Sequence, residues 1–117
     1  MTTHIMNLQS PYFENICNGK KTIEVRLYDE KRKKIELGDV IIFQNSKNNN
    51  LKVETNIIGL LRYSSFKDLI NDNSVETFGF EDKEKLLNAI FSFYSEEQEH
   101  KYGVLGIKIR LNKKIPE

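Results

Sequence analysis

The pattern of hydrophobic and polar residues changes period several times along the chain, and each change marks an element. His4-Ile5-Met6-Asn7-Leu8 alternates and predicts a short first strand. Ser10-Pro11 reads as a helix start, with Ser as the N-cap and Pro at the first helical position, where its missing N–H costs nothing. Phe13, Ile16 and Cys17 then share one helical face, and Asn18-Gly19 ends the helix in the left-handed conformation that Gly tolerates. From Lys21 to Tyr28 the period falls to two. Ile23, Val25 and Leu27 point toward a core, while Thr22, Glu24, Arg26 and Tyr28 point the other way. Gly38-Asp39 turns the chain into Val40 to Phe43, an apolar run expected of a strand covered on both faces.

Asn45 to Asn50 is a polar hairpin loop, its asparagines suited to turns. Lys52 to Tyr63 predicts a long strand with Val53, Thr55, Ile57, Gly59, Leu61 and Tyr63 on one face, and Gly59 marks a bulge or bend. Ser65 caps a short helix that turns Phe66, Leu69 and Ile70 inward, with Asp68 at its third position. After an irregular stretch from Asn71 to Phe80, Asp82 to Tyr94 is the longest helix. Its apolar stripe is Leu86, Leu87, Ile90, Phe91 and Tyr94, and its acidic start suits the helix dipole. Ser95 to Lys101 makes a further short helical turn, Tyr102 to Leu111 alternates as the last strand, and Asn112 to Glu117 reads as a frayed tail. Strands and about three helices in no regular βαβ order predict an α+β fold, a small closed or half-closed mixed β-barrel flanked by helices.

Composition narrows the function classes. At 117 residues, 38% hydrophobic and 30% charged, the chain is expected to form one globular domain over residues 1–117. No apolar run approaches the roughly 20 residues of a membrane span, so no membrane partner is expected. His4 and Asn7 interrupt any N-terminal signal segment, which makes the cytoplasm the expected location. The lone Cys17 excludes an internal disulfide or a cysteine-based zinc cage and reads as a small buried hydrophobe. His4 and His100 lie at opposite ends without ligand spacing, so neither a metal nor a cofactor is expected. A net charge of +1 argues against a broad non-specific nucleic-acid surface. Basic residues nevertheless crowd between Lys20 and Lys34 while acids gather between Glu76 and Glu99, so one face can focus a positive potential.

The candidate chemistry lies in the first of these stretches. Glu24 and Arg26 share a strand face at roughly 7 Å spacing, set by the rise of an extended chain, and Lys21 stands at the helix-to-strand junction with Thr22 beside it. A lysine of depressed pKa is a base, and a charged one holds a phosphate or an oxyanion. A carboxylate in a cleft acts as a base or accepts hydrogen bonds from a nucleobase edge, and an arginine grips phosphate bidentately. Lys31, Arg32, Lys33 and Lys34 form a candidate phosphate rim, the alternative being a solvated charge run. Tyr12, Tyr28, Tyr63 and Tyr102, each at an element end, are candidate stacking platforms, with core packing as the alternative. His4 is either an acid–base group at the cleft or a strand cap. The bland reading of Lys21, Glu24 and Arg26 is a network that only neutralises itself.

Gly19-Lys20-Lys21-Thr22, Glu24-Val25-Arg26 and Gly38-Asp39-Val40-Ile41-Ile42-Phe43 occur in the order of the ASCH domain signature, and the chain resembles that family. Tyr63-Ser64-Ser65-Phe66, Gly79-Phe80, Tyr94-Ser95 and Tyr102-Gly103-Val104-Leu105-Gly106-Ile107 fall where the family places its second half, so the resemblance covers nearly the whole chain. It implies a PUA-like fold with a cleft facing the lysine-bearing strand, and a connection to RNA or its nucleosides. One branch of the superfamily hydrolyses 4-acetylcytidine with a Lys, a Thr and a Glu. Lys21 matches the lysine, Glu24 stands where that branch has its threonine, and the region of its acid holds Glu76 and Glu81.

Three readings follow. The first is a cleft that binds RNA, a nucleotide or a nucleoside through Lys21, Thr22, Glu24, Arg26, Tyr63 and Tyr102. The second is a hydrolase of a modified nucleoside or of RNA, with Lys21 and Glu24 as the catalytic pair. The third is a non-catalytic protein-interaction domain. Both cleft readings require Lys21, Glu24 and Arg26 to converge on one pocket.

Overall fold

The structure is a computed structural model of the protein that describes residues 1–115, with side chains through Asn112. Five strands form one sheet: β1 (Thr3–Leu8), β2 (Ile23–Leu27), β3 (Val40–Asn45), β4 (Lys52–Tyr63) and β5 (Val104–Ile115). Their order is β1-β3-β4-β5-β2, with β1 parallel to β3 and the other pairs antiparallel. Helices α1 (Tyr12–Cys17), α2 (Phe66–Asn71), α3 (Lys83–Phe93) and α4 (Glu96–Tyr102) surround this half-barrel, which is an α+β architecture. The stretch from Ser95 folds as a full helix because Ser95 and Gln98 complete a reciprocal capping box. Ser65 caps α2, its hydroxyl accepting from the Asp68 amide at 3.1 Å.

Two apolar clusters hold the sheet. One, with Met6, Phe13, Ile41, Phe43, Ile57 and Ile107, fills the face covered by α1. The other, with Ile23, Phe66, Leu69, Phe78, Leu86 and Ile90, lies under α2 and α3. The predicted single apolar face of β4 does not hold along its length. The pairing with β5 shifts between Ile57 and Gly59, leaving Ile58 as an extra residue. One inserted residue flips the side that each later residue faces. Val53, Ile57 and Leu60 therefore pack on the first cluster, and Leu61 and Tyr63 on the second.

Other expectations are corrected too. Ser10 is not the cap of α1: the residue ahead of the helix is Pro11, and no side chain caps it. The Ser10 hydroxyl donates instead to Glu14 Oε2 at 2.9 Å, one turn on. The tail is ordered further than predicted, since Asn112 to Ile115 continue β5 opposite the start of β4. Pro116 and Glu117 lie outside the described residues. No helix among the described residues is long and apolar enough to cross a membrane.

Candidate functional site at the sheet seam

The strand order leaves β1 and β2 at opposite edges of the sheet, and curvature brings those edges toward each other. Arg26 on β2 spans the gap by donating from a terminal nitrogen to the Asn7 carbonyl of β1 at 3.0 Å. A cleft of about 260 Å³ opens along this seam. Its floor is Lys21, Glu24, Val25 and Arg26, and α3 forms one wall through Ala89, Ile90 and Phe93. Inward-pointing charge on an edge strand also blocks pairing with another chain.

Each charged residue of the floor is placed by backbone. Glu24 stands opposite Ile107 and Arg26 opposite Leu105 in the β2–β5 pairing. Cross-strand partners share a face, so both charges lie on the side of the first apolar cluster. This strand is thus covered on both faces, with apolar residues on one and ions on the other. Lys21 is fixed just before the strand by its amide, which donates to the Asn15 carbonyl at 2.8 Å, and by a bridge to Phe78. Gly79, at φ +82°, lets the chain pass close to Lys21, since a Cβ there would lie 3.3 Å from the lysine Cβ.

The three charges form one row. Lys21 Nζ lies 3.3 Å from Glu24 Oε1, and Arg26 Nε lies 2.7 Å from Glu24 Oε2, with side-chain exposures of 6%, 5% and 13% for Lys21, Glu24 and Arg26. Lys21 Nζ also donates to the Ile23 carbonyl at 2.9 Å. Burial alone pushes the Glu24 carboxyl up, but the Arg26 and Lys21 charges outweigh it and hold its pKa below the usual range. Arg26 is likewise raised despite burial, because Glu24 faces it. Burial pulls the Lys21 ammonium below its ordinary value, with Glu24 only partly opposing that shift.

Aromatic rings supply the rest of the lining. Tyr12 and Phe80 stack at 6.0 Å between centroids, Phe93 meets Tyr12 edge-on at 6.2 Å, and Tyr94 stacks on Phe66 at 5.7 Å. Of the tyrosines singled out from sequence, only Tyr12 lines the cleft. Tyr63 packs on the second cluster and donates its hydroxyl to Asp72 at 2.9 Å. Tyr102 packs on the same cluster, and Tyr28 lies under the Arg62 guanidinium at 3.9 Å. Thr22 is exposed outside the cleft, its backbone committed to Thr77 and Ile109. Phe80, Phe93 and Tyr94 were missed as lining groups because the first sits in an irregular stretch and the others in an apolar helix pattern.

The basic run does not line the cleft. Arg32 pairs with Asp29 at 3.1 Å and Lys33 with Glu30 at 2.9 Å, so half of it is neutralised locally. Its start does adjoin the site, since Asp29 and Arg32 act electrostatically on Tyr94. Lys31 and Lys34 are exposed. His4 is remote from the cleft and bonds Asp39 at 2.8 Å. Neither Glu76 nor Glu81 lines the cleft; both are exposed, and Glu76 accepts a hydrogen bond from Ser74. Cys17 packs against the first cluster, partly exposed rather than fully buried. Among the described residues, no group of three or more His, Cys, Asp or Glu is placed to hold a metal ion.

Comparison with known proteins places this geometry in a family. The model of the ASCH domain matches residues 6–113. The crystal structure of a hypothetical protein, PH0355, superposes with a TM-score of 0.83 at 40% identity, covering 95% of this chain and all of that one. The solution structure of protein PF0455 from Pyrococcus furiosus gives 0.73 at 37% identity, with 94% and 97% of the two chains covered. An ASCH protein from Zymomonas mobilis shares the fold at a TM-score of 0.59 and 15% identity, over 97% of this chain and 71% of that one. No curated protein matches the chain.

Proposed function

The chain belongs to the ASCH domain family, and from that premise we propose that the seam cleft binds an unpaired nucleobase, presented by RNA or by a nucleotide or nucleoside. The observation that supports this reading most is the pairing of a buried ion row with aromatic rings in one opening. Nucleobases are recognised by stacking on aromatic faces and by hydrogen bonds along their edges, and this cleft offers both. Lys21, Glu24 and Arg26 are the edge readers in this reading, and Tyr12 and Phe80 supply stacking surface. Thr22, Tyr63 and Tyr102 have no part in it. Lys31 and Lys34 remain a phosphate rim at the approach, with Arg32 and Lys33 weakened for that task by Asp29 and Glu30.

Titration with mononucleotides and short single-stranded RNA in low salt tests the proposal. Binding should weaken roughly 5- to 150-fold in Tyr12→Ala, since stacking on an aromatic ring is worth about 1–3 kcal/mol per base. Replacing Lys31 and Lys34 by Ala should flatten the salt dependence of RNA binding by about 0.7 units per lost phosphate contact. No binding by any of these ligands sinks the reading.

Hydrolysis is the second reading, and the downward direction of the Lys21 shift under burial favours it, because a lysine acts as a base only after losing its proton. Glu24 is less suited to sharing that work. Two cations stabilise its anion, which makes it a weak base. Turnover of a modified nucleoside or RNA that is unchanged in both Lys21→Ala and Glu24→Gln removes this pair from catalysis.

A further inference from the structure

The floor of the cleft presents its polar groups in a fixed order. Lys21 Nζ donates, the Glu24 carboxylate accepts, and the Arg26 guanidinium donates, the three being locked side by side at 3.3 and 2.7 Å. Each still has capacity. An ammonium has three N–H bonds, and Lys21 directs one to the Ile23 carbonyl and one to Glu24. A guanidinium has five, and Arg26 commits one to Glu24 and one to Asn7. Each Glu24 oxygen accepts a single ion-pair contact among the described residues and keeps a lone pair. The row is buried and braced, so it cannot rearrange cheaply to suit a different pattern.

We propose that this donor–acceptor–donor row reads the imide edge of uracil, so that the cleft selects uracil among the RNA bases. Uracil presents O4, N3–H and O2, an acceptor–donor–acceptor edge that meets the row at all three positions. Cytosine turns its amino group toward a cation and its N3 lone pair toward the carboxylate, two clashes of like groups. Adenine makes the same two. Guanine matches with O6 and N1–H and fails only at its amino group. The inference rests on the nucleobase reading above and adds the identity of the base.

Isothermal titration of the intact protein at pH 7 with the four ribonucleoside monophosphates, 3-methyluridine monophosphate and hexauridylate tests it. The uridine nucleotide should bind at least about fivefold more tightly than the cytidine nucleotide, the lower bound for one good hydrogen-bonded pair. Guanosine should fall between them. Methylation at N3 removes the central donor and should abolish the preference. Tighter binding of hexauridylate than of the mononucleotide makes RNA the source of the base, equal binding makes it the free nucleotide, and both support the proposal. Glu24→Gln, which can turn an amide N–H toward the base, should narrow the uridine-to-cytidine ratio. Equal binding of uridine and cytidine nucleotides, or unchanged binding of the 3-methyl compound, overturns uracil selection while leaving a nucleobase cleft intact. Failure of all six ligands overturns both readings.

Discussion

Replacing Glu24 by Gln probes the ion row through stability, independently of any ligand. The change keeps the side-chain shape and removes the one anion between two buried cations. Lys21 Nζ, 3.3 Å away, and Arg26 Nε, 2.7 Å away, then face a neutral amide that can accept from only one of them. Removing one partner of a buried ion pair costs about 3–5 kcal/mol. The lower end applies, because Lys21 retains the Ile23 carbonyl, while Arg26 retains Asn7 and some solvent contact. A loss of about 3 kcal/mol is a large part of a typical stability of 5–15 kcal/mol. It should lower the urea midpoint by about 1–3 M at ordinary m-values.

The acid range supplies a second readout from the same pair of proteins. The folded pKa of Glu24 is depressed below its ordinary 4.5. Its contribution is therefore fully present above the unfolded pKa and is lost as the pH falls through the folded one. The gap between parent and Glu24→Gln should be constant at neutral pH and should close as the pH falls from the ordinary 4.5 through the depressed folded value. Urea unfolding followed by circular dichroism at several pH values measures both. A gap under about 1 kcal/mol at pH 7, where breaking a buried pair predicts several, would refute the argument, as would a gap that persists unchanged into strong acid. Replacing Lys21, Glu24 and Arg26 together by apolar residues should restore most of the loss, since a buried ion network is often no more stable than an apolar one.

Three further outcomes test the frame around the site. Asp39 accepts from the Thr2 and Glu36 amides and bonds His4, and these contacts hold its pKa at about 2. Its stabilising effect is present above the ordinary 3.8 and fades as the pH falls toward 2, so Asp39→Asn should destabilise the protein at pH 6 and differ little from the parent near the lower value in an acid titration. Gly106→Ala places a Cβ 2.8 Å from Leu69 Cδ1, a buried side chain of α2, and should cost about 1–3 kcal/mol in denaturant unfolding by overpacking. Ser65→Ala deletes the hydroxyl that caps α2 and should lower stability by about 1 kcal/mol in the same assay.

Local period and capping explain why much of this fold was legible. Alternation in β2 and β5 and the stripe on α3 follow from turning an apolar face to the core, and the Ser65 cap is local chemistry. The expected helix cap at Ser10 failed because the hydroxyl found Glu14 a turn later. The bulge was anticipated at Gly59, but its effect on β4 was not, because Ile58 flips the facing of residues beyond it. Alternation in β2 separated Ile23, Val25 and Leu27 from Glu24 and Arg26, yet period alone cannot tell a solvated polar face from a buried one.

That last ambiguity is resolved by topology. Strands β1 and β2 follow one another in sequence but occupy opposite edges of the sheet, so the opening between them is a property of the closed arrangement and not of either segment. Lys21, Glu24 and Arg26 could be singled out together because a single short stretch holds them. Phe80, Phe93 and Tyr94 could not, since only the seam gives these aromatics a common opening with that row. A charged edge strand facing a seam must neutralise its ions internally or present them to a ligand, and here one anion between two cations does the first while keeping donors and lone pairs available for the second. Stability and recognition thus draw on the same three side chains. A ligand that matches their order should raise the unfolding midpoint of the parent and leave that of an apolar triple replacement unchanged.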